Sequence, residues 1–262
     1  FDEIRLADCR VRVEDARLSG GNPQFRLVEA LARRRFGGAS LEAQVELPSF
    51  MGEGAEFEAD LDGDPADFKS LAGSWSLSFE GLSRLPWLEA RLEGHPAIQM
   101  HDADLSVSGA INQGRIDTAE LDFEAKGVAA RRGEHLAKLH DIGLRAKGRR
   151  DGSSWTLDVP HVQVTGESGP WPDTRLRLQW TPLAAADGQG GSEIEADADY
   201  LRLQDLAPWM MLAGKTVDPR LLGVSGELRN LVARGRLGAG SNRMNRVLVA
   251  QAAAGFAAYQ ER

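Results

Sequence analysis

The sequence predicts a mainly-β chain built on a large antiparallel sheet. Three observations carry that reading. Apolar and polar residues alternate with a period of two along most of the chain, turns rich in Gly, Asp and Asn separate the alternating runs, and helical spacing occurs in only two short places. A period of two places every second side chain on one face of a strand. One face of each strand is then apolar and the other polar, the pattern of antiparallel meanders.

The strands are read in order. Cys9, Val11 and Val13 alternate with Arg10, Arg12 and Glu14. Leu41-Ala43-Val45-Leu47 and Phe57-Ala59-Leu61 alternate with acidic residues and Gln44. The pattern returns at Trp75-Leu77-Phe79, Leu105-Val107, Leu121-Phe123-Ala125 and Leu144-Ala146. It continues at Trp155-Leu157-Val159, Val162-Val164, Leu176-Leu178-Trp180, Ile194-Ala196-Ala198 and Leu228 with Leu231-Ala233. Turns such as Asp62-Gly63-Asp64, Asn112-Gln113-Gly114 and Asp151-Gly152 punctuate about a dozen strands. Helical spacing of three and four appears at 82–92, with Pro86 near its start, and at 203–212, with Pro208 beside Trp209. Each follows a strand, which suggests two related modules, 1–96 and 97–240. The Ala-rich tail 241–262 is a third, candidate helical, segment.

Such a sheet poses a coverage problem. About twelve strands at ~4.8 Å each make a sheet roughly 55 Å wide, and two short helices cannot cover its apolar face. Either the sheet folds on itself as a sandwich or barrel, or it curls into a trough whose apolar floor meets something else.

Composition and motifs narrow the function classes. Apolar residues are 42% and charged residues 27% of 262, so the chain is neither disordered nor a bundle of membrane-spanning helices. A net charge of −8 argues against nucleic acid as a partner. Cys9 is the only cysteine, which excludes an intrachain disulfide. No apolar run reaches the ~18 residues of a transmembrane helix. Phe1-Asp2-Glu3 is not the start of a signal peptide, so the chain is read as a piece of a longer protein with any targeting signal outside it.

No motif points to catalysis, metal or a cofactor. The histidines (His95, His101, His135, His140, His161) lack zinc spacing and are read as solvated. Gly214-Lys215-Thr216 lacks the first glycine of a phosphate loop, where Trp209 stands, and is read as a helix C-cap. Asp60-Leu61-Asp62-Gly63-Asp64 lacks the distal Glu of a calcium loop, its place taken by Leu71, and is read as a tight acidic turn. Gly223-Val224-Ser225-Gly226 is not a nucleophile elbow. Arg131-Arg132 and Arg149-Arg150 are read as solvated turn charges, with contact to anionic headgroups as the alternative. Trp87 and Trp209 are read as plugs at the end of the apolar face, with a ligand site as the alternative.

Three segments together carry a resemblance. The first is Ala55 to Leu92, with Phe57-Glu58-Ala59-Asp60-Leu61-Asp62-Gly63-Asp64-Pro65-Ala66-Asp67, Gly73-Ser74-Trp75-Ser76 and the Leu82–Trp87 stretch. The second is Gly152 to Trp180, through Gly169-Pro170-Trp171-Pro172-Asp173-Thr174. The third is Glu193 to Leu237, with Leu206-Ala207-Pro208 and Gly226-Glu227-Leu228-Arg229-Asn230-Leu231. In this order they resemble the AsmA-like superfamily of Gram-negative envelope proteins, in its YhdP branch, over roughly residues 1–237. Members of that superfamily are several times longer and begin with a membrane anchor.

The resemblance implies a long, strongly curved antiparallel sheet with an open apolar groove, in a bridge-like lipid transfer protein. It implies phospholipid as the partner, a periplasmic location, and attachment to the inner membrane through a segment outside this chain. Protein partners in the envelope are also compatible with it. The candidate groove wall is Leu105, Val107, Leu121, Phe123, Leu144, Trp155, Leu157, Val159, Leu176, Leu178 and Ile194. The rival expectation is a closed β module in which those side chains pack on one another and function lies in protein interaction or envelope assembly. No cofactor is expected on either view.

Overall fold

In a computed structural model of the chain, the structure describes residues 2–13, 23–64, 66–89, 96–183, 191–213, 225–238 and 249–252. The elements follow the expected order. Strands β1 (Glu3–Arg12), β2 (Gln24–Arg35), β3 (Gly38–Glu46), β4 (Gly54–Asp62) and β5 (Ala72–Leu82) lead to a single helical turn, α1 (Pro86–Glu89). Four long strands follow: β6 (Ala97–Asn112), β7 (Arg115–Arg132), β8 (His135–Asp151) and β9 (Ser154–Gly166). The two-residue β10 (Gly169–Pro170), β11 (Thr174–Leu183) and β12 (Gly191–Arg202) precede helix α2 (Leu203–Ala213), then β13 (Glu227–Gly238) and β14 (Val249–Ala252). All strands join one antiparallel sheet in sequence order, with β9 pairing β11 directly and β10 pairing β9 at the side. The first and last strands of this path do not pair with each other, so the sheet is open.

Register keeps the two faces separate across the sheet. One row reads Ala43, Phe57, Leu77, Val107, Leu121 and Ala146 on successive strands. The next reads Leu41, Ala59, Trp75, Gly109, Ala119, Gly148, Leu157, Leu178, Ala196 and Ala233. The opposite face carries ion pairs instead, among them Lys147–Glu120 at 3.0 Å, Arg177–Asp158 at 3.5 Å and Arg26–Glu46 at 3.0 Å. Exposed pairs of this kind each contribute about 0–1 kcal/mol, so they mark the wet face more than they stabilise it.

A bulge in β9 protects this separation. Between Val159 and Val162 the strand advances three residues while both neighbours advance two. Pro160, which has no N–H to offer a ladder, sits inside the bulge. Both valines are thereby buried on the apolar side. Without the extra residue, the second half of β9 would turn its apolar set to water.

A second set of irregularities bends the sheet. Gly81, Asp102 and Gly127 have φ of +59°, +43° and +57° on three neighbouring strands. The β5–β6 and β6–β7 registers shift at that level. The freed N–H of Gly81 donates to Asp104 Oδ1 at 3.1 Å. Beyond the bend, Leu82, Ile98, Met100, Ala103, Val128, Ala130 and Ala137 close on Leu85 and Leu212 in one buried cluster. Leu47, the residue after β3, packs against the same cluster.

Helix α2 runs across the strand ends. It begins where β12 stops and ends with the Leu212 carbonyl accepting from Arg132 Nη1 at 3.0 Å, at the end of β7. In the sheet β12 and β7 are four strands apart, about 19 Å at ~4.8 Å per strand. Eleven helical residues span ~16 Å, so α2 reaches β7 only by lying along this edge. Its first turn is pinned by Asp205, whose buried carboxylate accepts from Trp171 Nε1 at 2.8 Å and Arg202 Nη1 at 3.5 Å. A Cβ on Gly166 would stand 2.3 Å from Asp205 Cγ. Gly166→Ala is therefore expected to displace Asp205 and cost about 2 kcal/mol, from overpacking and a broken buried network. Thermal unfolding with the Trp171 fluorescence read alongside checks this.

Two helical expectations are corrected. The stretch 82–92 forms only the turn Pro86–Glu89 among its described residues, because β5 continues to Leu82, which pairs with Ala103. The buried Glu89 carboxylate holds this turn: it binds Arg84 through two contacts and accepts from the Ile98 N–H at 2.9 Å. In the tail, Val249–Ala252 extends as a strand on β13 instead of coiling into a helix. The rest of 241–262, and Gly214-Lys215-Thr216, lie outside the described residues. Arg131-Arg132 and Arg149-Arg150 end strands β7 and β8 and are not turn residues.

Candidate functional site

The apolar face is the feature that the fold leaves unexplained by its own packing. The expected wall residues all fall on it. Leu105, Phe123 and Leu144 form one cross-strand row, and Val107 and Leu121 the next. Val159 faces Leu176, Leu157 faces Leu178, and Trp155 faces Trp180, which faces Ile194. They are not equally open. Leu105 and Phe123 pack against the cluster under α1 and α2. Leu121, Leu144 and Leu176 pack around Ala146, Val159, Val162 and Val164. Leu157 and Leu178 are 38% and 40% exposed, although each stands in the middle of an apolar row.

The same face extends beyond those residues. Trp75, Leu77 and Phe79 continue it on β5, and Trp180, Ala196 and Leu231 on β11 to β13. Sequence reasoning missed two glycines that shape it. A Cβ on Gly109 would lie 3.1 Å from Trp75 Nε1, and one on Gly148 would lie 3.7 Å from Trp155 Cζ3. Each indole thus lies across a glycine of the neighbouring strand and leaves a low stretch of floor at Gly109, Ala119 and Gly148. The detectable signal was a glycine within an alternating run, which marks a close approach.

The edges of this face differ. At the edge where β7 meets β8, α1 and α2 seal the side chains into the buried cluster, and Trp209 packs there too. At the other edge the hairpin tips carry no described α-helix, only the 3-10 turn Phe68–Ser70, beside which the Gly114 N–H donates to the Leu71 carbonyl at 2.9 Å. The tightest is Gln113-Gly114, with φ of +51° and +66°, the left-handed pair that a two-residue hairpin needs. The Asp60–Asp64 turn lies at this edge. Its Asp64 caps the next turn, accepting from the Ala66 N–H at 2.9 Å.

Among the described residues no group of His, Cys, Asp or Glu is placed to hold a metal ion. The buried acids Glu89 and Asp205 are both engaged in holding helices to the sheet. A polar chain continues from Arg202 to Tyr200 to Glu227, whose carboxylate accepts from Tyr200 Oη at 2.8 Å and Arg229 Nη2 at 3.1 Å. The tyrosine hydroxyl, then the Arg229 hydrogen bond, holds the Glu227 carboxyl below its ordinary value. A depressed carboxylate favours the fold above its unfolded pKa and loses that contribution as pH falls through the folded value. In Tyr200→Phe the Glu227 midpoint is expected to rise toward that of a free glutamate, read by NMR titration of its side-chain carbon.

Shallow depressions elsewhere, over Ser76 and Ser108 beside Glu58 and Glu120, lie on the wet face and offer no apolar lining of comparable extent.

The sequence that builds this long apolar face on an open sheet also matches a family model. The family model described as YhdP protein covers residues 1–245. The chain belongs to the YhdP family. It is similar to the intermembrane phospholipid transporter YhdP of Escherichia coli (strain K12), 23% identical over 222 residues, or 82% of this chain. The chain spans 17% of that relative's length. No solved structure matches it. The segments that carried the resemblance now have places in the YhdP-family sheet. Ala55–Leu92 holds most of β4, the acidic turn, β5 and α1. Gly152–Trp180 runs from the β8–β9 turn into β11, and Glu193–Leu237 holds β12, α2 and β13.

Proposed function

We propose that this chain is a segment of a periplasm-spanning conduit that shields phospholipid acyl chains between the inner and outer membranes, attached to the inner membrane through a segment outside it. The observation that carries the reading is the apolar face, continuous in register over successive strands and half-open at Leu157 and Leu178. The Escherichia coli relative, an intermembrane phospholipid transporter by name, supports phospholipid as the cargo.

The mechanism is passive. Each methylene kept from water is worth about 0.8 kcal/mol, so an acyl chain on this face does not escape into solution. Movement along the face needs sites of nearly equal energy. Rows of Leu, Val, Ala and Phe supply them, while pairs such as Lys147–Glu120 and Arg177–Asp158, which would trap a headgroup, stand on the opposite face. The closed-module alternative requires these side chains to interlock, and the exposure at Leu157 and Leu178 speaks against it. Native mass spectrometry and lipid extraction of the purified protein are expected to find bound phospholipid. Repeated recovery of lipid-free protein from a phospholipid-replete host overturns the reading.

A further inference from the structure

Of the two arginine pairs read from the sequence, one is consumed by the fold: Arg132 holds the end of α2. Arg150 is placed differently. It occupies the apolar-face register of β8, two residues on from Gly148, at the edge that no described α-helix covers. Trp155 faces it on β9, and Trp180 faces Trp155 on β11. A guanidinium and two indoles therefore stand side by side where the apolar rows meet water. All three are half-buried.

That trio has the chemistry of a lipid–water boundary. Indoles settle there because the ring is apolar and the N–H is a donor, and an arginine stem lies along apolar surface while its head reaches water. Arg150 Nε donates to the Gly152 carbonyl at 2.8 Å, which orients the fork and leaves its Nη donors free of any carboxylate among the described residues. On the wet face several arginines are paired: Arg145 with Asp122, Arg177 with Asp158 and Arg234 with Glu195. Two acids at this edge, Asp117 and Asp151, are exposed, and neither bonds to Arg150.

We propose that Arg150, Trp155 and Trp180 form a headgroup station. The guanidinium binds the phosphodiester of a phospholipid whose tails lie on the apolar face, and the indoles set the level of its glycerol backbone. The station deepens the conduit reading and rests on it. It also assigns a direction across the sheet: headgroups ride on the edge bearing the β8–β9 turn, because α1 and α2 occupy the other.

The test equilibrates purified protein with vesicles of phosphatidylcholine containing equal phosphatidylglycerol and diacylglycerol, and quantifies the lipids that stay with the protein. In Arg150→Gln, phosphatidylglycerol loading should fall about fivefold, the scale of one charge-assisted contact near water, while diacylglycerol loading holds. Arg149→Gln is the control, with the same charge change one residue away on the wet face, and should change neither. Equal effects of the two variants, or equal loss of both lipids in Arg150→Gln, overturn the station and leave the conduit standing. Failure of the unsubstituted protein to take up any of the three lipids overturns both.

Discussion

Leu82→Ala is expected to cost about 3–4 kcal/mol, within the range measured for emptying a fully enclosed leucine site. Leu82 has no exposed surface; it ends β5 at the bend of the sheet and packs in one cluster with Leu85 and the Leu212 end of α2. Its loss removes transfer energy and leaves a cavity that the long strands on three sides cannot collapse to fill. Leu178→Ala is the comparison. Leu178 already meets water over 40% of its surface, so truncation should cost about 1 kcal/mol or less in lipid-free protein. The midpoint of urea unfolding for the two variants reads the difference directly. Equal losses would mean that the apolar face is as tightly interlocked as the capped edge, and the open-groove account would fail with it.

The contrast between those two leucines also shows what the sequence makes legible. Period-two alternation is a local property, so it placed Leu82's neighbours Leu77 and Phe79, and likewise Leu157 and Leu178, on one face without reference to the rest of the chain. Neighbour order followed from short turns, which oblige each strand to pair with the last. Coverage could be counted as well: the helices were too few for the sheet. What stayed hidden depends on contacts distant in sequence. That α2 reaches back to Arg132 rests on an 80-residue separation. The β9 bulge at Pro160 is legible only in hindsight, as a proline inside an alternating run. The helix expected over 82–92 begins only at Pro86: the spacing of Leu82 and Leu85 fits a helix, but the pairing of Leu82 with Ala103 keeps that residue in β5. Gly109 and Gly148, which the alternation passes over, are the places where indoles lie down.

Charging the open stretch of the face should separate cargo binding from folding. Leu157 and Leu178 are direct cross-strand partners, so two glutamates there would repel each other and confound the result. Leu157→Glu combined with Leu178→Lys avoids this, since the new side chains pair across the strands. A charged group held against hydrocarbon costs about 2.5–3.5 kcal/mol. Each charge therefore lowers acyl-chain occupancy roughly a hundredfold, and the pair, partly neutralised, by at least that factor. Folding should barely respond, because both positions are already about two-fifths exposed and neither belongs to the cluster at Leu82 or the one at Ala146. Lipid extraction and urea unfolding on the same preparation give the two readouts. Cooperative unfolding of the double variant, with no folded lipid-free species, would place these leucines in a closed core and return the function to protein–protein contact.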